Sequence, residues 1–255
     1  MANIFEQYGI KEVADVTIYK LTKNEDGGYD ETPFLFLDTL KVSTLEQTAE
    51  SSDARGGKGN AKLLSWDYGK EINVTLEDAL YSPASMALMW GGKEAQWDDT
   101  TTKITKMLKY DAKEDGSVTT IADGLGKPWK VVGYFDDKGA FKTTSTLSAV
   151  KGKVYTVKVE TSAAQTNTLT ITADSYPGIY KLVGDTYARN RNTGEDEYFQ
   201  FVIARAKMSA EQTLTLQAEG DPTTFNLNMT VLRPESGSMI ELIQYSLPGT
   251  ATVDE

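Results

Sequence analysis

The chain has 255 residues, 40% of them hydrophobic and 25% charged, a size and balance suited to one large folded domain or two smaller ones. Its 37 acidic and 26 basic residues leave a net charge of −11, which opposes binding to phosphate backbones and to anionic membrane surfaces. It contains no cysteine and no histidine, which removes disulfides, thiolate nucleophiles, Cys/His zinc sites and every triad built on an imidazole base.

The opening stretch MANIFEQYGIKEVADVTIYKL has no basic segment followed by an apolar run. No window approaches the roughly 18 apolar residues of a membrane helix, so neither a signal peptide nor a membrane span is expected. The absence of cysteine fits synthesis in a reducing cytoplasm. Strand-like alternation begins early. VTIYKL (16–21), FLFL (34–37) and LKVSTL (40–45) are short and rich in β-branched and aromatic residues, and residues 24–28 read as a turn.

The next stretch, SSDARGGKGN (51–60), has the look of a phosphate cradle. A P-loop reads G-x-x-x-x-G-K-[ST] and opens a helix. Here Gly57-Lys58 supplies the G-K pair, but Ser52 stands where the first glycine belongs and Gly59 where the hydroxyl belongs. The residues after Asn60 alternate like strands and do not open a helix. The stretch therefore reads as a mobile polar connection between two strands, not a nucleotide site.

KLLSWDY (62–68) and EINVTL (71–76) come next. In the first, Lys62, Leu64, Trp66 and Tyr68 fall on one side, and Trp66 and Tyr68 read either as core residues or as anchors of a subunit interface, where aromatics are enriched. In the second, Ile72, Val74 and Leu76 oppose Glu71, Asn73 and Thr75. YSPASMALMWGG then breaks the pattern. Ser82 is a good N-cap, Pro83 suits N1 and Gly91 suits the left-handed C′ position, which predicts a helix over 83–90. Its apolar side chains, Met86, Met89 and Trp90 among them, leave little polar face, so it should pack against the sheet or a neighbour.

Residues 97–172 are more polar and hairpin-like, and read as a β-rich insertion, a small β-sandwich set into a main domain of 1–96 and 173–255. Its expected strands are 104–110, 117–122, 129–135, 153–159 and 168–173, with a turn at 136–139. The last group is 178–189, 197–205, 213–219, 225–232 and 239–246. Asn192-Thr193-Gly194 and Gly220-Asp221-Pro222 read as hairpin turns. In 213–219, Leu214, Leu216 and Ala218 oppose Thr213, Thr215, Gln217 and Glu219. In 224–231, Phe225, Leu227, Met229 and Val231 oppose Thr224, Asn226, Asn228 and Thr230. These polar faces hold Thr, Asn, Gln and a little Glu, with no Lys or Arg. Such a face is either an ordinary solvated sheet or the wall of a wet channel along which a polyanion slides.

Enzymatic chemistry finds little here. Asp98-Asp99, Asp136-Asp137 and Glu195-Asp196-Glu197 are adjacent carboxylates, which point to opposite faces in a strand and make no acid/base pair. Asn24-Glu25-Asp26-Gly27 and Lys113-Glu114-Asp115-Gly116 lack calcium-loop spacing and read as turns. No cofactor or metal ligand set is expected. Trp97, Trp129, Tyr134 and Tyr187 could stack on sugars, or pack in the core.

The stretch ARGGKGNAKLLSWDYGKEINVTLEDALYSPASMALMWGG resembles the N-terminal half of tailed-bacteriophage tail tube (major tail) proteins. PGIYKLVGDTYARNRNTGEDEYFQFVIARAKM and LTLQAEGDPTTFNLNMTVLRP resemble their C-terminal half. The resemblance implies a mainly β fold, a curved antiparallel β-sandwich or half-barrel with one short packing helix, the insertion lying on the tube exterior. It implies a non-enzymatic virion protein, made in the bacterial host cytoplasm. Its hexameric rings would stack helically around a channel that conducts DNA into the host without binding it specifically. Implied partners are further copies of the chain, a tail tip or baseplate initiator, a tape measure protein and a tail terminator, with no membrane.

Laid onto this sequence, the resemblance makes the connection 49–60 the loop that reaches the next ring, with Asp53, Ala54, Arg55, Gly56, Gly57, Lys58, Gly59 and Asn60 at its heart. Arg55 and Lys58 would pair with a neighbour's carboxylates. Glu71, Asn73, Thr75, Thr213, Thr215, Gln217, Glu219, Thr224, Asn226, Asn228 and Thr230 would line the lumen. A capsid decoration protein or a carbohydrate-binding β-sandwich is the alternative, and a defined small oligomer would mark it.

Overall fold

The computed structural model describes residues 7–91, 97–98 (backbone only), 102–122, 126–164, 166–216, 218–219 and 223–245. The chain divides into two compact units, one of Met1–Ala95 with Leu169–Glu255 and one of Gln96–Thr168. In chain order the first unit begins with β1 (Tyr8–Ile10), β2 (Asp15–Lys23), β3 (Tyr29–Leu37), β4 (Leu40–Gly56), β5 (Ala61–Asp78) and α1 (Pro83–Trp90). The second unit holds β6 (Trp97–Asp98), β7 (Thr102–Asp111), β8 (Gly116–Val118), β9 (Thr120–Ala122), β10 (Pro128–Phe135), β11 (Phe141–Thr143), β12 (Leu147–Ala149), β13 (Val154–Ala163) and β14 (Thr166–Asn167). The first unit resumes with β15 (Ile179–Asn190), β16 (Asp196–Met208), β17 (Phe225–Val231) and β18 (Glu241–Tyr245).

The first unit is one antiparallel sheet in the order β3-β2-β15-β16-β17-β5-β4. β1 shares one edge of β15 with β2, and β18 shares the far edge of β16 with β17. The sheet is open, with β3 and β4 at its ends; the antiparallel fold is as expected, as is a single helix among the described residues, and the half-barrel form is not seen in the single chain.

Alternation does its work in the inner strands. Val16 and Ile18 of β2, Val74 and Leu76 of β5, Leu182 of β15, Ile203 of β16 and Leu227 of β17 are fully buried in one core. Each such side chain contributes roughly 1.5–3 kcal/mol. Gly184 faces Phe201 across β15 and β16, and a Cβ there would meet the ring at 2.1 Å, so the glycine makes room for the aromatic.

The helix forms as its local signals dictate. The Ser85 N–H donates to Ser82 Oγ at 3.0 Å, and Ser85 Oγ accepts from the Ser82 N–H at 2.8 Å, a reciprocal capping box. Pro83 follows the cap, and Gly91 stops the helix at φ +67°. A Cβ on Gly91 would lie 2.3 Å from the Tyr176 carbonyl carbon, so space and conformation both demand glycine. Leu88 and Met89 are buried in the sheet's core, with Met86 and Trp90 packed partly against it.

The second unit carries a sheet in the order β11-β10-β13-β7, with β9 on β10, together with the short pairs β8–β12 and β6–β14. Its own core gathers Ile121, Trp129, Val131, Leu147, Tyr155, Val157 and Val159. SVTTIA divides between β8 and β9, which belong to different sheets. Trp129 is a core residue and is not free to stack on a sugar, Tyr134 is half-buried against the same core, and Tyr187 of the first unit is exposed; the side chain of Trp97 lies outside the described residues.

Two expected strands are absent. Residues 168–173 form no strand. Nor do 213–216 and 218–219, and Leu216, expected on an apolar face, is 83% exposed. β17 therefore pairs with β5 and β16 and not with 213–219, and the expected hairpin turn at 220–222 lies outside the described residues together with Gln217. The turns at 24–28, 136–139 and 192–194 do join β2 to β3, β10 to β11 and β15 to β16.

Candidate assembly surfaces

The stretch expected as a mobile loop is a β-hairpin arm. β4 runs to Gly56, β5 starts at Ala61, and only residues 57–60 form the turn. Gly57, Gly59 and Asn60 take φ of +79°, +87° and +48°, and the Asn60 N–H donates to the Gly57 carbonyl at 3.2 Å. The glycines make a tight turn here, not a flexible tether. Asp53, Ala54, Arg55 and Gly56 lie in β4, while Gly57, Lys58, Gly59 and Asn60 are the turn. β17 pairs with β5 only from Asn73 to Asp78, so the outer twelve residues of β5, Ala61 to Ile72, pair with β4 alone, a ribbon roughly 40 Å long at about 3.3 Å per residue.

Two irregularities set which side chains share a face. Thr48 opposes Glu71 and Glu50 opposes Tyr68, with Gly69 at φ +62° absorbing the slip. Nearer the tip, Ala54 opposes Leu64 but Arg55 opposes Lys62, leaving Leu63 as the extra residue. This bulge moves Lys62 off the side of Leu64, Trp66 and Tyr68 and onto the side of Asp53. There Asp53 accepts from Arg55 at 3.0 Å, Lys62 at 2.7 Å and Ser65 at 2.9 Å. Lys62, then Ser65 and Arg55, hold the Asp53 carboxyl below the usual carboxylate range. Arg55 is thus engaged within its own strand through one nitrogen, with its side chain still 51% exposed.

The other side of the ribbon carries Leu64, Trp66 and Tyr68, which are 59%, 55% and 53% exposed. None of the three is a core residue. A two-stranded ribbon has no third layer to cover them, and a contiguous exposed row of large apolar groups marks a contact surface.

The base of the arm presents a polar wall. Across β4, β5 and β17, Thr44 opposes Thr75, Thr48 opposes Glu71, Asn228 opposes Thr75 and Thr230 opposes Asn73. Directly opposed residues share a side, so Glu71, Asn73, Thr75, Asn226, Asn228 and Thr230 come together opposite the buried Val74, Leu76, Leu227 and Met229. Thr230 Oγ1 donates to Asn73 Oδ1 at 3.0 Å. Thr224 is half-buried just before β17, whereas Thr213, Thr215 and Glu219 are exposed in irregular chain and join no wall.

The wall continues onto β16 and β15 with residues that alternation alone did not single out. Gln200 Nε2 donates to Asp185 at 2.7 Å, and Arg189 makes two bonds of 2.6 Å to Asp196. Tyr187, Tyr198 and Tyr245 form a row with ring centroids 5.4 and 5.3 Å apart. Tyr187 lies four residues before Arg191 and Tyr198 four residues after Gly194, so counting outward from a four-residue turn, one longer than the Asn192-Thr193-Gly194 expected, would have revealed their pairing. Asp78 gives no such signal in the sequence. It is buried at the foot of β5 and accepts from Thr39 Oγ1 at 2.5 Å and the Leu80 N–H at 3.2 Å, tying the β3–β4 corner to the approach to α1.

Among the described residues no group of three or more carboxylates is placed to hold a metal ion, and no helix is long and apolar enough to cross a membrane. The sequence is 25% identical over 210 residues to the tail tube protein of Bacillus phage SPR, an alignment covering 75% of this chain and 72% of that protein. It also matches the YomU/Tube protein family over residues 8–243, a span that includes the arm, the helix, the polar wall and the second unit. The chain belongs to the YomU/Tube protein family, whose tail tube proteins are structural and not catalytic.

Proposed function

We propose that the chain is the repeating subunit of a phage tail tube, forming hexameric rings that stack helically around a channel through which DNA enters the host. The observation that carries this reading is the β4–β5 arm, an ordered ribbon that leaves the sheet with one apolar face bare. In the tube, Leu64, Trp66 and Tyr68 meet the adjacent ring, and residues 53–60 bring the arm's tip to it. Because the arm is already paired, docking orders side chains and not backbone, which lowers the entropy lost on assembly. A heterologous contact of this kind propagates a filament and does not close a dimer.

The wall of Glu71, Asn73, Thr75, Asn226, Asn228 and Thr230 faces the channel in this reading. Its hydroxyls and amides hold water, and its one carboxylate, Glu71, repels phosphate, so DNA passes without being held. Residues 96–168 form an added domain on the tube exterior. A tail tip or baseplate starts the stack, a tape measure protein occupies the growing lumen and a terminator ends it, in the virion.

The test is electron microscopy of the full chain over a range of concentrations, with and without tail tips as seeds. Hollow tubes are expected from the wild type, and their loss from a Trp66→Ala, Tyr68→Ala double variant that keeps its fold. A small closed oligomer of fixed size, or tubes unaffected by the double variant, would overturn the reading and favour a decoration or binding module.

A further inference from the structure

Charge is divided unequally along the chain. Residues 96–168 hold eleven lysines, no arginine and nine carboxylates, a net charge of +2, while the rest of the chain carries −13. Within the second unit four of the eleven lysines share one side of one sheet. In the β7–β13 pairing Lys103 opposes Ser162, Thr105 opposes Glu160, Met107 opposes Lys158 and Lys109 opposes Thr156. In the β10–β13 pairing Lys130 opposes Glu160. Opposed residues share a side, so Lys103, Lys109, Lys130 and Lys158 all rise from the face opposite the buried Val131, Val157 and Val159.

One of the four is neutralised. Lys103 Nζ lies 2.5 Å from the Glu160 carboxylate. Lys109, Lys130 and Lys158 have no carboxylate partner among the described residues. Asp111, at the end of this face, is held by Lys113 at 2.5 Å. The three unpaired ammonium groups lie on a diagonal across β10, β13 and β7, each step crossing one strand, about 4.8 Å, and two residues, roughly 7 Å. At one end of the diagonal the sheet opens into a concavity of about 540 Å³ lined by Lys103, Thr120, Lys130, Glu160, Thr161 and Ser162.

We propose that this face binds an acidic polysaccharide, with one carboxylate or phosphate of the chain on Lys130 in the concavity and the next ones on Lys158 and Lys109. Lysine suits such a ligand because its ammonium is a point charge with rotatable donors, tolerant of irregular anion spacing, unlike the planar fork of arginine. The hydroxyls of Thr120, Thr161 and Ser162 both donate and accept, as sugar hydroxyls do. Charges more than about 8 Å away are largely screened at physiological salt, so a local row of ammonium groups attracts in spite of the acidic remainder of the sequence. The inference does not depend on tube assembly.

The test is retention of the full-length protein on immobilised alginate, a carboxylated sugar polymer, against neutral dextran and single-stranded DNA. Retention on alginate but not dextran is expected, weakening roughly tenfold to twentyfold between about 50 and 200 mM salt for three lysine contacts. A K109E, K130E, K158E variant should keep its melting temperature and lose about tenfold or more in alginate affinity. Equal retention of wild type and variant, or stronger binding to DNA than to alginate, would sink the proposal. So would a wild type that ignores alginate while the triple variant fails to self-associate, which would make the face a contact between copies.

Discussion

The two halves of β5 are one strand under two regimes. From Ile72 to Asp78 every second residue is buried, and from Asn73 onward the strand is flanked on both sides, by β4 and β17. From Ala61 to Glu71 every residue is exposed, and β4 is the only neighbour. The inner half is held by burial as well as pairing. The outer half is held by backbone pairing, a tight turn and the ion pairs around Asp53. The contrast separates what folds the chain from what the fold leaves available. Apolar residues of the inner half are consumed by the core, while those of the outer half, equally large, remain for another surface.

The contrast can be broken most forcefully in the inner half. Leu76→Ala should lower unfolding free energy by about 2–5 kcal/mol, because Leu76 is fully buried and leaves a cavity. Urea denaturation measures this, and a loss comparable to that of a surface change would show that the two halves are not different in kind. Removing the helix cap with Ser82→Ala should cost about 1 kcal/mol, by the same measurement. Gly69→Ala should also cost about 1 kcal/mol, since φ +62° disfavours a side chain although its Cβ would meet only Glu50 at 3.8 Å. Trp66→Ala should change the stability of the free subunit by less than about 0.5 kcal/mol, the mark of a residue outside the core.

The smallest effect concerns pH. Asp53 has its carboxyl pKa depressed by Lys62, Ser65 and Arg55, so its contribution to the arm is present above the ordinary Asp value of about 3.9 and is lost as pH falls through the lowered one. Contacts across the strands between Asp53 and Ser65, followed by NMR, should weaken only in that acid range, and Asp53→Asn should remove the dependence. A transition near neutral pH would point to a different group.

Local signals were legible in the sequence, and pairing was not. Ser82, Pro83 and Gly91 specify the helix within ten residues, because a cap, a fixed φ and a left-handed stop act on their own neighbours. Alternation located β2, β15, β16 and β17, where a core receives the apolar side. The same alternation misled at 213–219, since Leu214 and Leu216 satisfy the pattern but find neither a partner strand nor a core. The arm misleads in the opposite direction. Its glycines look like a loop, yet β4 and β5 pair up to Gly56 and Ala61, and pairing depends on the partner strand and not on local composition. The bulge at Leu63 also lay beyond reach. It moves Lys62 to the face of Asp53 and decides which face is ionic and which is apolar.

The exposure of Trp66 gives the molecule an optical marker of its own. Trp129 is sealed in a core and Trp90 is half-covered, so among the tryptophans whose side chains are described, Trp66 is the one in open water. Its emission should be red-shifted and readily quenched by iodide or acrylamide in the free subunit. Any surface that closes over the arm will shift that emission to the blue and shield it from the quencher, so the capture of the ribbon can be timed in solution without attaching a dye.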